Sequence, residues 1–163
     1  MRNEAEYVEF AEASVERLRS TAFLMCRDWH LAQDLTQITL TKVYLPWARV
    51  SRAGNVDAYA RKVLIRAYLD HVRRRSSGEV VTATVPETAR DDTQDLRLTL
   101  LDALALLPPR DRAIVVLRYW EDYSVERVAE VLGVPVSVVT TQTTRSLAKL
   151  RRLLSPDQVE LFA

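Results

Sequence analysis

Apolar residues recur at spacings of three and four along most of this chain, and this periodicity constrains its fold more than any other feature. One such stripe consists of Ala11, Val15, Leu18, Ala22 and Met25. This spacing places the apolar side chains on one face of an α-helix. Glycine and proline number only 3 and 6 in 163 residues, which leaves few positions for the turns of a β protein. We therefore predict an all-α fold.

A polar, acidic stretch interrupts the helical pattern. Residues 77–96 carry 1 basic and 5 acidic side chains. That composition is typical of a linker with mostly irregular structure. We predict two small helical domains, at residues 1–76 and 96–163, joined by an acidic flexible linker at residues 77–95.

The first domain shows three helical segments. The stripe above marks the first, and a break follows near Asp28. The second runs over about residues 31–45, and Pro46 should end or bend it. We expect a loop at residues 50–57, with Asp57 as the N-cap of a third helix.

The second domain shows four helical segments. The first stops at Pro108 and Pro109, which also suit the start of the second. Ser124 is a good N-cap for the third, and Gly133 can end it. The fourth covers about residues 136–153.

Residues 124–145 match a helix-turn-helix. The motif needs a small residue where its two helices cross, a turn with positive φ four residues later and an apolar anchor on the second helix. Ala129, Gly133 and Val139 supply these at the required offsets. The second helix would then enter the major groove of DNA. The alternative is an ordinary helical hairpin with no role in DNA binding.

The outward face of that second helix carries side chains that can bind DNA. Hydroxyl groups can contact phosphates or base edges, and an arginine can bind guanine or phosphate. The alternative is a merely solvated face. The candidate residues are Thr140, Thr141, Thr144, Arg145 and Lys149.

A second basic region favours contact with nucleic acid. The whole chain has a net charge of +1, yet residues 49–76 carry 8 basic and 2 acidic side chains. Within it, residues 61–75 form a helix with an apolar face and a basic face. Tyr59, Tyr68 and His71 lie among the charges, and planar groups can stack on unpaired bases. A solvated basic face is the alternative.

The sequence gives little support for a catalytic site. The chain has no glycine-rich phosphate loop and no GxSxG or HExxH motif. Cys26 and His30 are spaced i, i+4, but no third ligand completes a metal site. We expect no enzyme activity and no cofactor. The acidic N-terminus and the lack of an apolar run of about 18 residues argue against a signal peptide and membrane insertion, so we expect a cytoplasmic protein.

Three segments together carry a resemblance to a known family. They are AQDLTQITLTKVY at 32–44, DAYARKVLIRAYLDHVRRR at 57–75 and LPPRDRAIVVLRYWEDYS at 107–124. With them, the chain resembles the extracytoplasmic-function (group IV) sigma factors of bacterial RNA polymerase, in their SigE-like branch. The resemblance implies a sigma-2 bundle of three or four helices, a four-helix sigma-4 domain with the helix-turn-helix, and a role in promoter-specific transcription initiation.

The resemblance also implies roles by position. Promoter DNA and core RNA polymerase are the implied partners, through the β′ clamp helices and the β flap, and anti-sigma factors often hold family members inactive. The residues implied in polymerase binding are Asp34, Gln37, Thr41 and Tyr44. Those implied at the −10 element, from a loop at 51–57 and the helix after it, are Asn55, Tyr59, Arg61, Lys62, Arg66, His71, Arg73, Arg74 and Arg75. The helix at 136–153 is implied at the −35 element.

Two departures from the family pattern keep other functions open. The docking segment reads DLTQIT, with Ile38 and Thr39 where the family commonly has other residues. Thr140 and Thr141 stand where a cation and a serine are common. One alternative is a stand-alone helix-turn-helix regulator that binds an operator without polymerase. Another is an interaction protein that keeps the sigma fold but has degenerate DNA recognition.

Overall fold

A computed structural model describes residues 2–78 and 100–154, and within these ranges every regular element is helical. The N-terminal domain contains α1 (Arg2–Cys26), α2 (Trp29–Tyr44), α3 (Trp47–Ala53) and α4 (Val56–Gly78). The C-terminal domain contains α5 (helical residues 100–105), α6 (Pro109–Val115), a π-helical turn (Val116–Trp120), α7 (Val125–Leu132) and α8 (Val136–Leu153). The predicted all-α class is confirmed. Residues 77 and 78 belong to the end of α4, and residues 79–95 of the predicted linker lie outside the described residues.

The first break falls where the sequence predicts it. Arg27 takes a positive φ of 56°, and Asp28 then caps α2. The Asp28 carboxylate accepts hydrogen bonds from the backbone N–H groups of His30 and Leu31, at 2.9 and 3.2 Å. These bonds satisfy two N–H groups that lack partners at a helix start.

The loop predicted at residues 50–57 is wrong in its first half. Pro46 does end α2, but α3 begins at the next residue and runs to Ala53. Trp47 and Val50 are buried, so packing of this i, i+3 pair into the core stabilises a helix that the short pattern did not indicate. The cap is also corrected, because the side chain of Asn55 and not of Asp57 accepts a hydrogen bond from a first-turn N–H, that of Ala58 at 3.2 Å.

One continuous apolar core joins the two domains. Side chains from α1, α2 and α4 pack in the same cluster as side chains from α6, the π-helical turn and α7. Its fully buried members include Leu18, Met25, Leu64 and Ile65 from the first domain and Ile114, Leu117 and Val128 from the second. A smaller cluster holds α8 against α5 through Leu150, Leu154, Leu104 and Leu107. Burial of apolar surface therefore stabilises the interface between domains as well as each domain.

Arg112 is the main polar contact within this interface. Its guanidinium donates to the Met25 carbonyl at the end of α1 and to the Tyr68 hydroxyl of α4, the latter at 3.0 Å. It also donates to the carbonyls of Leu104 and Leu107, at 2.8 and 2.9 Å, at the end of α5. One side chain thus connects three helices.

Removing the Arg112 side chain should destabilise the whole molecule. We expect Arg112→Ala to lower the free energy of unfolding by about 3 kcal/mol, because several partly buried acceptors lose a charged donor. Urea denaturation followed by circular dichroism measures this. The exposed neighbour Arg110 provides the control, and Arg110→Ala should change stability by no more than about 0.5 kcal/mol. Equal effects of the two substitutions would contradict the role of Arg112.

Candidate nucleic-acid interface

Helices α7 and α8 form the predicted helix-turn-helix. The Ser124 hydroxyl accepts a hydrogen bond from the Arg127 N–H at 3.1 Å and caps α7. Gly133 ends α7 with a φ of 66°. Ala129 and Val139 are both buried, as the helix crossing and the anchor require. The three positions on which the motif was predicted therefore have the expected geometry.

The outer face of α8 is polar and exposed. Thr140, Thr141 and Thr144 all face solvent. The hydroxyls of Thr140 and Thr144 each donate to a backbone carbonyl four residues earlier, at 3.1 Å. Each oxygen still has lone pairs with which to accept a hydrogen bond. The Thr141 hydroxyl does not donate such a bond, so its hydrogen and its lone pairs are both available to a ligand.

The two cations predicted on α8 are anchored inside the C-terminal domain. Arg145 Nη2 lies 3.3 Å from Asp111 Oδ2, although the Arg145 side chain is 64% exposed. Lys149 Nζ donates to the Leu106 carbonyl at 2.8 Å. An arginine has five N–H donors, so Arg145 can keep this contact and still bind a base or a phosphate.

The basic residues of α4 divide into exposed and covered groups. Arg66, Arg73, Arg74 and Arg75 are exposed, and Arg73 pairs with Asp70 at 2.7 Å. The other predicted −10 residues on α4 are covered to different degrees. Tyr59, Lys62 and His71 are half-buried, and Arg61 is buried. Asn55, in the turn before α4, is exposed.

Tyr68, predicted to stack on bases, is instead part of the core. It is 2% exposed, and its hydroxyl donates to the Met25 carbonyl at 3.1 Å. Burial raises the pKa of the Tyr68 phenol, and the charge of Arg112 partly opposes that rise. Its spacing of four from the buried Leu64 places it on the apolar face of α4.

Helix α2 presents one exposed face. Asp34, Gln37, Thr41 and Tyr44 all lie on it. Ile38, one of the departures from the family pattern, lies among them and is 42% exposed. The other departure, Thr39, points inward, and its hydroxyl donates to the Leu35 carbonyl at 2.7 Å. The substitution at position 39 therefore does not change the outer surface.

A polar cluster between the domains was missed by sequence reasoning. The Glu121 carboxylate, which follows the π-helical turn, contacts Arg17, Thr21 and Arg61 of the N-terminal domain. Arg27 also pairs with Asp102 across the interface at 2.6 Å. No local signal identifies these pairs, because they join residues 60 to 104 positions apart in the sequence.

Within residues 2–78 and 100–154, no three His, Cys, Asp or Glu side chains lie close enough together to hold a metal ion. In those ranges, no helix combines the length and apolar character needed to cross a membrane.

Comparison with known proteins agrees with this architecture. Residues 10–78 match the family described as Sigma-70 region 2, and residues 97–150 match Sigma-70, region 4. The chain is 35% identical over 152 residues to the RNA polymerase sigma-E factor of Streptomyces coelicolor, covering 91% of this chain and 86% of that protein. It is 31% identical over 143 residues to the ECF RNA polymerase sigma factor SigM of Mycobacterium tuberculosis, covering 85% and 71%.

A solved structure has the same fold. The sigma factor RpoE from Bartonella quintana, crystallised with the anti-sigma factor NepR, aligns with a TM-score of 0.75 at 22% identity, over 93% of this chain and 98% of that one. The matches to both sigma regions, on two helical domains with a helix-turn-helix in the second, define a protein of the sigma type. The chain belongs to the sigma-70 family of RNA polymerase sigma factors, in its extracytoplasmic-function group. The resemblance seen in the sequence is confirmed.

The turn of the helix-turn-helix should be sensitive to its backbone conformation. Gly133→Ala places a Cβ in open space but at a positive φ, so we expect a loss of about 1 kcal/mol in unfolding free energy. Gly133→Asn should cost less, because asparagine tolerates this conformation. Thermal unfolding of the two variants checks the order. A larger loss for asparagine than for alanine would contradict it.

Proposed function

We propose that this chain binds core RNA polymerase and directs transcription initiation from specific promoters. Membership of the sigma-70 family supports this, and the exposed face of α8 within a helix-turn-helix is the observation that carries it. The protein would act by recognition, without catalysis of its own. We propose the cytoplasm as its location, because a bacterial sigma factor works there with RNA polymerase.

The two domains would share promoter recognition. We propose that residues 1–76 serve core binding and the −10 element, that residues 77–95 link the domains, and that residues 96–163 serve the −35 element. The −35 residues would be Thr140, Thr141, Thr144, Arg145 and Lys149. The −10 residues would be Asn55, Tyr59, Arg61, Lys62, Arg66, His71, Arg73, Arg74 and Arg75.

Polymerase contact would use the exposed face of α2. Asp34, Gln37, Thr41 and Tyr44 would meet the β′ clamp helices, with Ile38 adding apolar area. The C-terminal domain would meet the β flap. An anti-sigma factor is a further proposed partner, since the related fold of RpoE was solved with one.

Run-off transcription over a library of genomic fragments tests the function. With active core polymerase, addition of this protein should produce start sites that core alone does not give. The absence of any such start site would contradict promoter recognition. Retained binding to core without transcription would favour the interaction protein with degenerate DNA recognition. Tight operator binding without polymerase would favour the stand-alone regulator.

Reversing a charge on α2 should weaken core binding. We expect Asp34→Lys to raise the dissociation constant for core polymerase by at least about tenfold, because it reverses the charge of an exposed side chain on the proposed docking face. Fluorescence anisotropy of labelled protein measures this. Glu12→Lys makes the same charge change at an exposed position of α1, and this variant should bind core polymerase as the parent protein does. Equal loss in both variants would remove α2 from the interface.

Removing the Arg145 side chain from α8 should weaken recognition of the −35 element. We expect Arg145→Ala to cost about 1–3 kcal/mol at promoters that depend on this element, if the side chain contacts a base. Competitive run-off transcription between promoter variants measures the cost. Because Arg145 also pairs with Asp111, the thermal stability of the variant is measured as a control. An unchanged promoter profile with unchanged stability would exclude Arg145.

A further inference from the structure

The exposed face of α2 ends at an aromatic side chain. Tyr44 is the last residue of the helix, and its side chain is 48% exposed. Leu45 follows it and is 79% exposed. Pro46 comes next and has no backbone N–H, so it cannot continue the hydrogen-bond ladder of α2. Because helix ends fray, the position of the Tyr44 ring depends on contacts from outside the helix.

Tyr7 of α1 provides such a contact through its ring. The centroids of the Tyr7 and Tyr44 rings lie 4.9 Å apart, with the two planes at 65°. The Tyr7 ring also lies 5.5 Å from the Trp47 ring, at 81°. Both are edge-to-face arrangements of the kind that aromatic pairs prefer. Trp47 is buried, so the Tyr7 ring connects the core to an exposed ring of the docking face.

The hydroxyl of Tyr7 fixes this ring on α2. It donates to the Leu40 carbonyl at 2.8 Å. Helical geometry brings the N–H of Tyr44 to the same carbonyl, whose oxygen has two lone pairs. Burial raises the pKa of the Tyr7 phenol, and the nearby Tyr44 phenol adds to the rise, so the hydroxyl keeps its proton at neutral pH. One side chain of α1 therefore contacts both the backbone and the exposed ring of the last turn.

A binding partner would meet a Tyr44 ring that is already in place. A mobile side chain loses rotamer freedom when it enters an interface, and that loss weakens binding. Tyrosine is also one of the residue types that contribute most to protein interfaces. Tyr44 is the one aromatic residue among the four proposed to meet polymerase. Support of its ring from α1 thus reduces the cost of binding at this end of the docking face.

We infer that Tyr7 is a positioning residue for polymerase binding, and that it holds the Tyr44 ring in the orientation that core polymerase contacts. This inference rests on the proposed function, in which the exposed face of α2 docks on polymerase. Tyr7 lies on α1, outside the four residues of that face, and acts through Tyr44.

Replacing Tyr7 tests its effect on core binding. In fluorescence anisotropy of the labelled full chain with core polymerase, Tyr7→Ala should raise the dissociation constant at least about fivefold, because the Tyr44 ring loses its support. Tyr7→Phe keeps both ring contacts and should raise it no more than about twofold. Should Tyr7→Ala be unfolded at the assay temperature by circular dichroism, Tyr7→Leu takes its place with the same expected loss. Binding by these ringless variants that equals the parent's would overturn the inference.

Phe10 offers a matched control on the same helix. It is a half-buried ring that packs on Trp47 at 5.4 Å and does not contact the Tyr44 ring. Phe10→Ala should lower the midpoint of thermal unfolding, yet leave the dissociation constant for core polymerase within about twofold of the parent's. A loss of binding equal to that of Tyr7→Ala would overturn the inference, since general destabilisation would then explain both results.

A double-mutant cycle tests whether Tyr7 acts through Tyr44. Tyr44→Ala should itself raise the dissociation constant. Adding Tyr7→Ala to Tyr44→Ala should then change it by less than about twofold, because no ring remains to be positioned. A Tyr7 that only stabilises the fold would weaken binding by the same factor in both backgrounds, and that result would contradict the inference.

The same measurements separate this inference from the proposed function. A loss of core binding in Tyr44→Ala without an effect of Tyr7→Ala would reject the inference and keep the docking face. If neither Asp34→Lys nor Tyr44→Ala weakens core binding, the docking face is wrong and the inference is rejected with it. Run-off transcription with the parent protein tests promoter recognition independently of both.

Discussion

The guanidinium of Arg112 holds the end of α1, the hydroxyl of Tyr68 on α4 and the end of α5 at one point. Apolar side chains from both domains pack around it as a single core. Because helix ends carry carbonyls without partners, a cation in this position satisfies several of them at once. The relation between the two domains, and so the accessibility of each surface, depends on this contact.

The packed arrangement affects the two basic regions differently. The outer face of α8 stays open, and Arg145 and Lys149 are anchored within the C-terminal domain through Asp111 and the Leu106 carbonyl. On α4, the last turns stay exposed, but the first turns meet α7 and Glu121. The start of α4 is therefore the part of its basic surface that the second domain covers.

Most of the helices were predictable from the sequence, since long segments with a strong apolar periodicity determine their own secondary structure. The caps at Asp28 and Ser124 and the turn at Gly133 follow from local chemistry in the same way. Helix α3 was missed because a segment of seven residues gives too little periodicity, and its helical form depends on burying Trp47 and Val50. Tyr68 could face either DNA or core by its spacing, and only packing against α1 decided the outcome.

The sequence by itself determined an all-helical chain, a helix-turn-helix with its polar outer face, and membership of the sigma family, because each depends on residues close together in the chain. The tertiary structure alone decided that the two domains share a core, that Arg61 is buried, and that Glu121 lies among cations from α1 and α4. Those features join residues far apart in sequence, and pairing at that range depends on how whole helices pack. Local sequence patterns do not show which helices pack together.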